Sequence, residues 1–223
     1  KPIKTLKSND VFEEAFIFAT NGTELSTEWS KSIINECNKI KREISSQDIN
    51  SRKDLRNLNF VTIDGSNAKD FDDAVYAEEN SDGFLLHVAI ADVSEYVLQD
   101  SSLDKEAFSR ATSVYFEKKV IPMLPELISN KLCSLRPNED KLVLTCEIYL
   151  DKGGEIKSYE FFNSVICSKN RLTYDEVEKF YQKGQTVLPK EVVSNLSTLK
   201  KIHGLRRKIR EDRKAIDFYL PEY

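Results

Sequence analysis

Apolar residues recur along this chain in two rhythms. Trp29, Ile33, Cys37 and Ile40 follow helical spacing, and Ser26 is placed to cap a helix reaching about Glu43. Ahead of it, residues 1–25 hold a short apolar run at Val11–Phe18 and read as the tail of a preceding segment. A polar linker, Ser45–Arg56, separates this region from a block with strand character. There Asn59–Ile63 alternates, and Phe84–Ile90 is a continuous apolar run of buried-strand type. Leu142–Leu150 and Ile156–Cys167 predict a strand pair joined by a turn at Asp151–Gly154. A short helix is predicted over Ser102–Ala111. Thr173 with Glu176 forms a capping box for a helix stopping at Gly184, and Pro189 at a first helical position opens a longer one. That last helix has Val192, Leu196, Leu199, Ile202 and Ile209 as its apolar residues. Its other face is basic from Lys200 to Lys214, either a solvated face or an edge that contacts phosphates. The pattern predicts an α+β fold, a twisted and mostly antiparallel sheet flanked by helices, with no internal repeat.

Composition narrows the function classes. Of 223 residues, 40% are hydrophobic and 31% charged, the balance of a globular chain rather than a disordered one. Lys and Arg total 33 against 37 Asp and Glu, so bulk charge does not point to nucleic acid, although a basic stripe can sit inside an acidic whole. The four cysteines, Cys37, Cys133, Cys146 and Cys167, form no Cys-x-x-Cys pair and read as reduced thiols of a cytoplasmic protein. The two histidines are far apart, and His87 lies inside an apolar run, so neither a zinc site nor a Ser-His-Asp triad is expected. No apolar stretch approaches the length of a membrane span. The chain opens at Lys1 and its one methionine is Met123, which suggests a piece of a longer protein.

The chemistry concentrates in Phe60–Val75, F-V-T-I-D-G-S-N-A-K-D-F-D-D-A-V. Asp64 leaves a strand-like run, and Asp70, Asp72 and Asp73 precede another apolar stretch. At an intermediate effective dielectric a pair of like charges 4 Å apart costs about 4 kcal/mol. Lys69 is the one nearby residue in sequence that offsets the repulsion; a hard divalent cation such as Mg²⁺ or Mn²⁺ would do so better. A polar surface loop is the competing reading. An EF-hand calcium loop is disfavoured by Lys69 and Val75 at the positions that need Gly and Glu. A phosphatase with an Asp-x-Asp nucleophile could use Asp70 and Asp72, but Asp70 does not directly follow a strand. A Mg²⁺ site for phosphoryl chemistry, with one or two cations, remains open beside these.

The segment T-I-D-G-x-x-A-K-D-F-D-D-A-V resembles the active-site signature of the RNase II / RNB exoribonuclease family. The likeness continues in order through H-V-A-I-A-D-V-S-E-Y-V (His87–Val97), R-A-T-S-V-Y (Arg110–Tyr115), I-P-M-L-P-E (Ile121–Glu126), L-C-S-L-R-P (Leu132–Pro137), R-L-T-Y (Arg171–Tyr174) and A-I-D-F (Ala215–Phe218). With R-K-D-L-R ahead of it, the aspartate segment is most similar to the bacterial ribonuclease R branch. The resemblance implies residues 1–50 as a linker and helical segment after a cold-shock (OB) domain, and 51–223 as the N-terminal part of an RNB catalytic domain. It implies processive, Mg²⁺-dependent 3′→5′ hydrolysis of single-stranded RNA to nucleoside 5′-monophosphates by a monomeric parent protein, with Mn²⁺ as a possible substitute. Asp64, Asp70 and Asp73 would be metal ligands, and Asp72, also beside the metal, the carboxylate most directly tied to cleavage. Tyr115 and Phe218 would stack on RNA near its 3′ end, and Tyr174 would contact RNA near the scissile nucleotide. The family's later segments, with an arginine that assists cleavage and an S1 domain, have no counterpart here, so the resemblance implies an incomplete site in this chain by itself. The rival class is a non-catalytic RNA-binding or regulatory protein with an RNB-like fold.

Overall fold

A computed structural model of the chain describes residues 11–21, 23, 26–116, 119–184 and 187–216. In chain order these form helices α1 (Val11–Thr20), α2 (Lys31–Lys39) and α3 (Ser46–Asn50), then strands β1 (Lys53–Asp54), β2 (Val61–Asp64), β3 (Asp73–Glu79) and β4 (Gly83–Ala91). Helix α4 (Ser102–Arg110), the short strands β5 (Val114–Tyr115) and β6 (Val120–Ile121) and a π-helical turn at Ile128–Leu132 follow. The chain continues with strands β7 (Asp140–Asp151), β8 (Ile156–Cys167) and β9 (Asn170–Thr173) and helices α5 (Tyr174–Lys183) and α6 (Lys190–Asp212). The chain divides into two compact units, one of residues 1–42 and 93–131, the other of residues 43–92 and 132–223. Among the described residues no helix is long and apolar enough to cross a membrane.

In the first unit the apolar run Val11–Phe18 is helical, as part of α1. Helix α2 is capped by Ser30 rather than Ser26 and ends at Lys39 rather than Glu43. The reason is local: the Ser26 hydroxyl closes a turn on Glu28, accepting from its amide at 3.3 Å and donating to its carbonyl at 2.8 Å, while the Ser30 hydroxyl accepts from Ile33 N. Ile33 and Cys37 remain its buried residues. Arg110, at the end of α4, ties the unit together. Its guanidinium lies 3.8 Å from the Trp29 ring and donates to the carbonyls of Ser26, Glu28 and Pro122.

The second unit is built on one seven-stranded sheet, ordered β1-β8-β7-β4-β3-β2-β9. The four pairings from β8 to β2 are antiparallel, and the outer pairs, β1 with β8 and β2 with β9, are parallel. The mixed and mostly antiparallel sheet with helices agrees with the fold class read from the pattern. The stretch expected as a polar linker holds more structure: Ser45 and Asp48 make a capping box for α3, and Lys53–Asp54 pair with Ser164–Val165 at the sheet edge.

Helices α5 and α6 cover one sheet face. Val61 and Leu172 from the sheet pack with Val177, Val192 and Leu196, and Ala77, Phe84 and Leu150 pack with Ile202. Pro189 stands at the N-cap of α6 with φ −56° and ψ 149°, one residue before the helix rather than inside it. Beyond the reach of α6 the same face leaves Ile90, Leu144, Tyr159 and Phe161 exposed. Several basic residues of α6 are engaged within the protein: Lys201 with Glu79, Arg206 with the Gly154 carbonyl, and Arg207 with Glu211. At Gly154, with φ +84°, a Cβ would meet Leu205 Cβ at 2.6 Å, so only glycine lets α6 approach this turn.

Candidate metal centre

Strand β2 ends on Asp64 and β3 begins on Asp73, its antiparallel neighbour, so the loop 65–72 brings both ends of the acidic segment together at adjoining strand ends inside the sheet. Asp64, Asp72 and Asp73 each offer a carboxylate oxygen, and these oxygens lie within 4.8 Å of one another. Asp70 is outside that trio, yet its charge still acts on Asp64.

The loop is held at several points. The Ser134 hydroxyl donates to the Lys69 carbonyl at 2.8 Å and accepts from Phe71 N at 3.2 Å. Leu135 N donates to the Phe71 carbonyl at 2.7 Å, and Ala91 N to the Asp72 carbonyl at 2.8 Å. From β9, Arg171 donates to the carbonyls of Gly65 at 3.0 Å and Ser66 at 2.7 Å, with its guanidinium 5.1 Å from the Phe71 ring centroid. Phe71 itself is buried and anchors the loop.

Crowding of like charge at a partly buried position has the expected effect. Burial, then Asp73 and Asp72, push the Asp64 carboxyl up to about 6, with Arg171 acting in the opposite direction. Asp73 is raised by burial and by Asp72. Asp64 Oδ2 is buried and has no hydrogen-bond partner within the protein. A polar surface loop would turn its carboxylates to water. Here one acceptor faces inward, unpaired, beside two further carboxylates, and an all-oxygen set of this kind fits a hard divalent cation.

The other residues singled out in the sequence fall in different places. Tyr174 is the first residue of α5 and is exposed; Thr173 before it stands in register with Asp64 across the β2–β9 pair. Tyr115 lies in β5 of the first unit and is 65% exposed. Phe218 lies outside the described residues. His87 is buried in β4, where its Nε2 pairs with Glu147 at 2.8 Å, as a packed strand residue. The sequence reading missed the supports of the loop, Ser134, Leu135 and Arg171. They lie in L-C-S-L-R-P and R-L-T-Y, of which only Tyr174 carries an expected role in the sequence.

The fold and the site together define a class: a mixed sheet whose adjoining strand ends present clustered carboxylates suited to a hard divalent cation. The family model for the RNB domain matches residues 52–223. The chain therefore belongs to the RNB domain family. It is 44% identical over 197 residues to Ribonuclease R of Acidithiobacillus ferrooxidans, covering 87% of this chain and 45% of that protein. It is 40% identical over 221 residues to Ribonuclease R of Escherichia coli (strain K12), covering 98% of this chain and 27% of that one. Among solved structures, Mycoplasma genitalium RNase R in complex with ribose methylated single-stranded RNA superposes with a TM-score of 0.84 at 35% identity, over 89% of this chain and 31% of the other. The chain thus spans less than half the length of these relatives.

Proposed function

We propose that this chain carries the metal-binding part of the active site of a 3′→5′ exoribonuclease, one that hydrolyses single-stranded RNA processively to nucleoside 5′-monophosphates with Mg²⁺. The observation that carries this reading is the convergence of Asp64, Asp72 and Asp73 within 4.8 Å, with the unpaired Asp64 Oδ2 among them. The relatives named Ribonuclease R, and the RNA held by one of them, support it.

In this reading Asp64, Asp72 and Asp73 hold the cation, and Asp70, outside that trio, completes the acidic set around it. When bound, the cation supplies neutralisation of phosphate charge and a lowered pKa for a coordinated water. Asp72 is the exposed member of the trio and stands nearest the phosphate under attack. Water adds to phosphorus, the bond from phosphorus to the 3′ oxygen of the preceding nucleotide breaks, and the shortened RNA keeps a 3′ hydroxyl. The released nucleotide keeps its 5′ phosphate. Tyr174, beside the residue in register with Asp64, contacts the RNA near that bond, and Tyr115 stacks on a base, an interaction worth about 1–3 kcal/mol and blind to base identity. Phe218 is assigned as the second stacking aromatic on its sequence match alone. The free thiols of Cys37, Cys133, Cys146 and Cys167 suit a cytoplasmic location. The rival, a non-catalytic RNA binder, has no need to keep four aspartates.

The test is Asp72→Asn in the natural polypeptide that contains this chain. RNA binding should persist while hydrolysis falls by several orders of magnitude. Release of mononucleotides at the unsubstituted rate would refute the assignment.

A further inference from the structure

Arg171 touches both ends of the acidic loop. Its terminal nitrogen donates to the Gly65 and Ser66 carbonyls, immediately after Asp64, and its guanidinium lies over Phe71, immediately before Asp72. It projects from β9, which runs parallel to β2 and sets Arg171 in register with Thr62, two residues before Asp64. Its charge acts attractively on Asp64, which the neighbouring carboxylates repel. One more observation sets this arrangement apart from an ordinary loop contact. Among the described residues, four buried side-chain polar atoms have no partner, and three of them, Thr62 Oγ1, Asp64 Oδ2 and Arg171 Nε, belong to this one stretch of the β2–β9 pair. Donors and acceptors left unpaired together mark a place organised around something other than the protein's own contacts.

We propose that Arg171 is a positioning residue for the metal centre, holding the Gly65–Ser66 turn and Phe71 so that Asp64 and Asp72 keep their oxygens at ligand spacing. This rests on reading the aspartates as a metal site. Arg171 touches no ligand oxygen through a hydrogen bond and acts through the backbone that carries the ligands. The planar guanidinium is what the role requires: one terminal nitrogen donates to two carbonyls while the flat group lies over an aromatic ring, a stacking an ammonium does not provide.

The experiment titrates Mn²⁺ into the natural polypeptide that contains this chain, following free Mn²⁺ by electron paramagnetic resonance, with a thermal melt on each variant. The unsubstituted chain should bind Mn²⁺ and Asp64→Asn should lose it; no binding by the unsubstituted chain would overturn the metal reading and this inference with it. Arg171→Ala should fold and weaken Mn²⁺ binding by about 10- to 100-fold, the usual effect of removing a group that orients ligands. Arg171→Lys, which keeps the charge, should recover only part of the affinity. A folded Arg171→Ala that binds Mn²⁺ as the unsubstituted chain does would overturn the role of Arg171 while leaving the metal site intact. Should Arg171→Ala not fold, Arg171→Lys decides: unchanged affinity overturns the role, and a loss with an unchanged melt upholds it.

Discussion

Asp64 is stabilised poorly by its own protein. Burial and two neighbouring carboxylates raise its pKa to about 6, whereas an unfolded aspartate titrates near 3.9. Between those values the folded chain binds more protons than the unfolded one, so stability falls as pH rises from about 4 to 6 and stays low above. Asp64→Asn should therefore raise the unfolding free energy of the metal-free chain at pH 7, by about 1 kcal/mol once solvent screening of a half-exposed group is allowed for. It should also flatten the slope between pH 4 and 6. Urea melts across that range in the presence of a chelator would show it; a destabilised Asp64→Asn with an unchanged slope would count against the charge crowding. The aspartates were legible in the sequence because ten consecutive residues contain all four. Arg171 was not, because the carbonyls it holds are 106 and 105 residues away along the chain.

Elements whose signals are local matched the sequence reading closely. The capping box of Thr173 and Glu176 and the left-handed Gly184 bound α5, and the Asp151–Gly154 turn joins β7 to β8. Helix α2 shifted because two serines competed for one cap. Helix α3 and strand β1 were missed because a five-residue helix and a two-residue strand leave little periodicity to read. The attachment of α6 to the sheet depends on a residue with no sequence signal at all. Asn195 is buried, its Oδ1 accepts from Ala77 N at 2.9 Å, and its Nδ2 donates to the carbonyls of Asn59 at 3.0 Å and Val75 at 3.3 Å. One amide thus satisfies backbone groups at β3 and just ahead of β2, the two strands that carry Asp73 and Asp64. Asn195→Ala would leave the buried Ala77 N–H unpaired and should cost about 2–4 kcal/mol. Equilibrium denaturation measures this directly, and a loss under about 0.5 kcal/mol would show that water replaces the amide.

At the scale of the whole molecule, the site is a product of sheet order. Residue 64 reaches residue 73 through a simple antiparallel neighbour, where the sequence shows only that one aspartate leaves a strand-like run and the others precede an apolar stretch. The order β1-β8-β7-β4-β3-β2-β9 places β9 beside β2 only after the chain has crossed the sheet, and that long-range pairing brings Arg171 and Thr173 to the aspartates. Strand order depends on which apolar faces find one another, and no local pattern encodes it. The central claim is that the carboxylates at these strand ends serve metal-dependent hydrolysis from the 3′ end of RNA. Its most direct test incubates 5′-labelled single-stranded RNA with the natural polypeptide containing this chain, with Mg²⁺ and with excess chelator. The account predicts stepwise shortening of the label and release of nucleoside 5′-monophosphates with Mg²⁺, and neither with the chelator. Cleavage that persists in the chelator, or that yields internal fragments or 3′-phosphates, would contradict it.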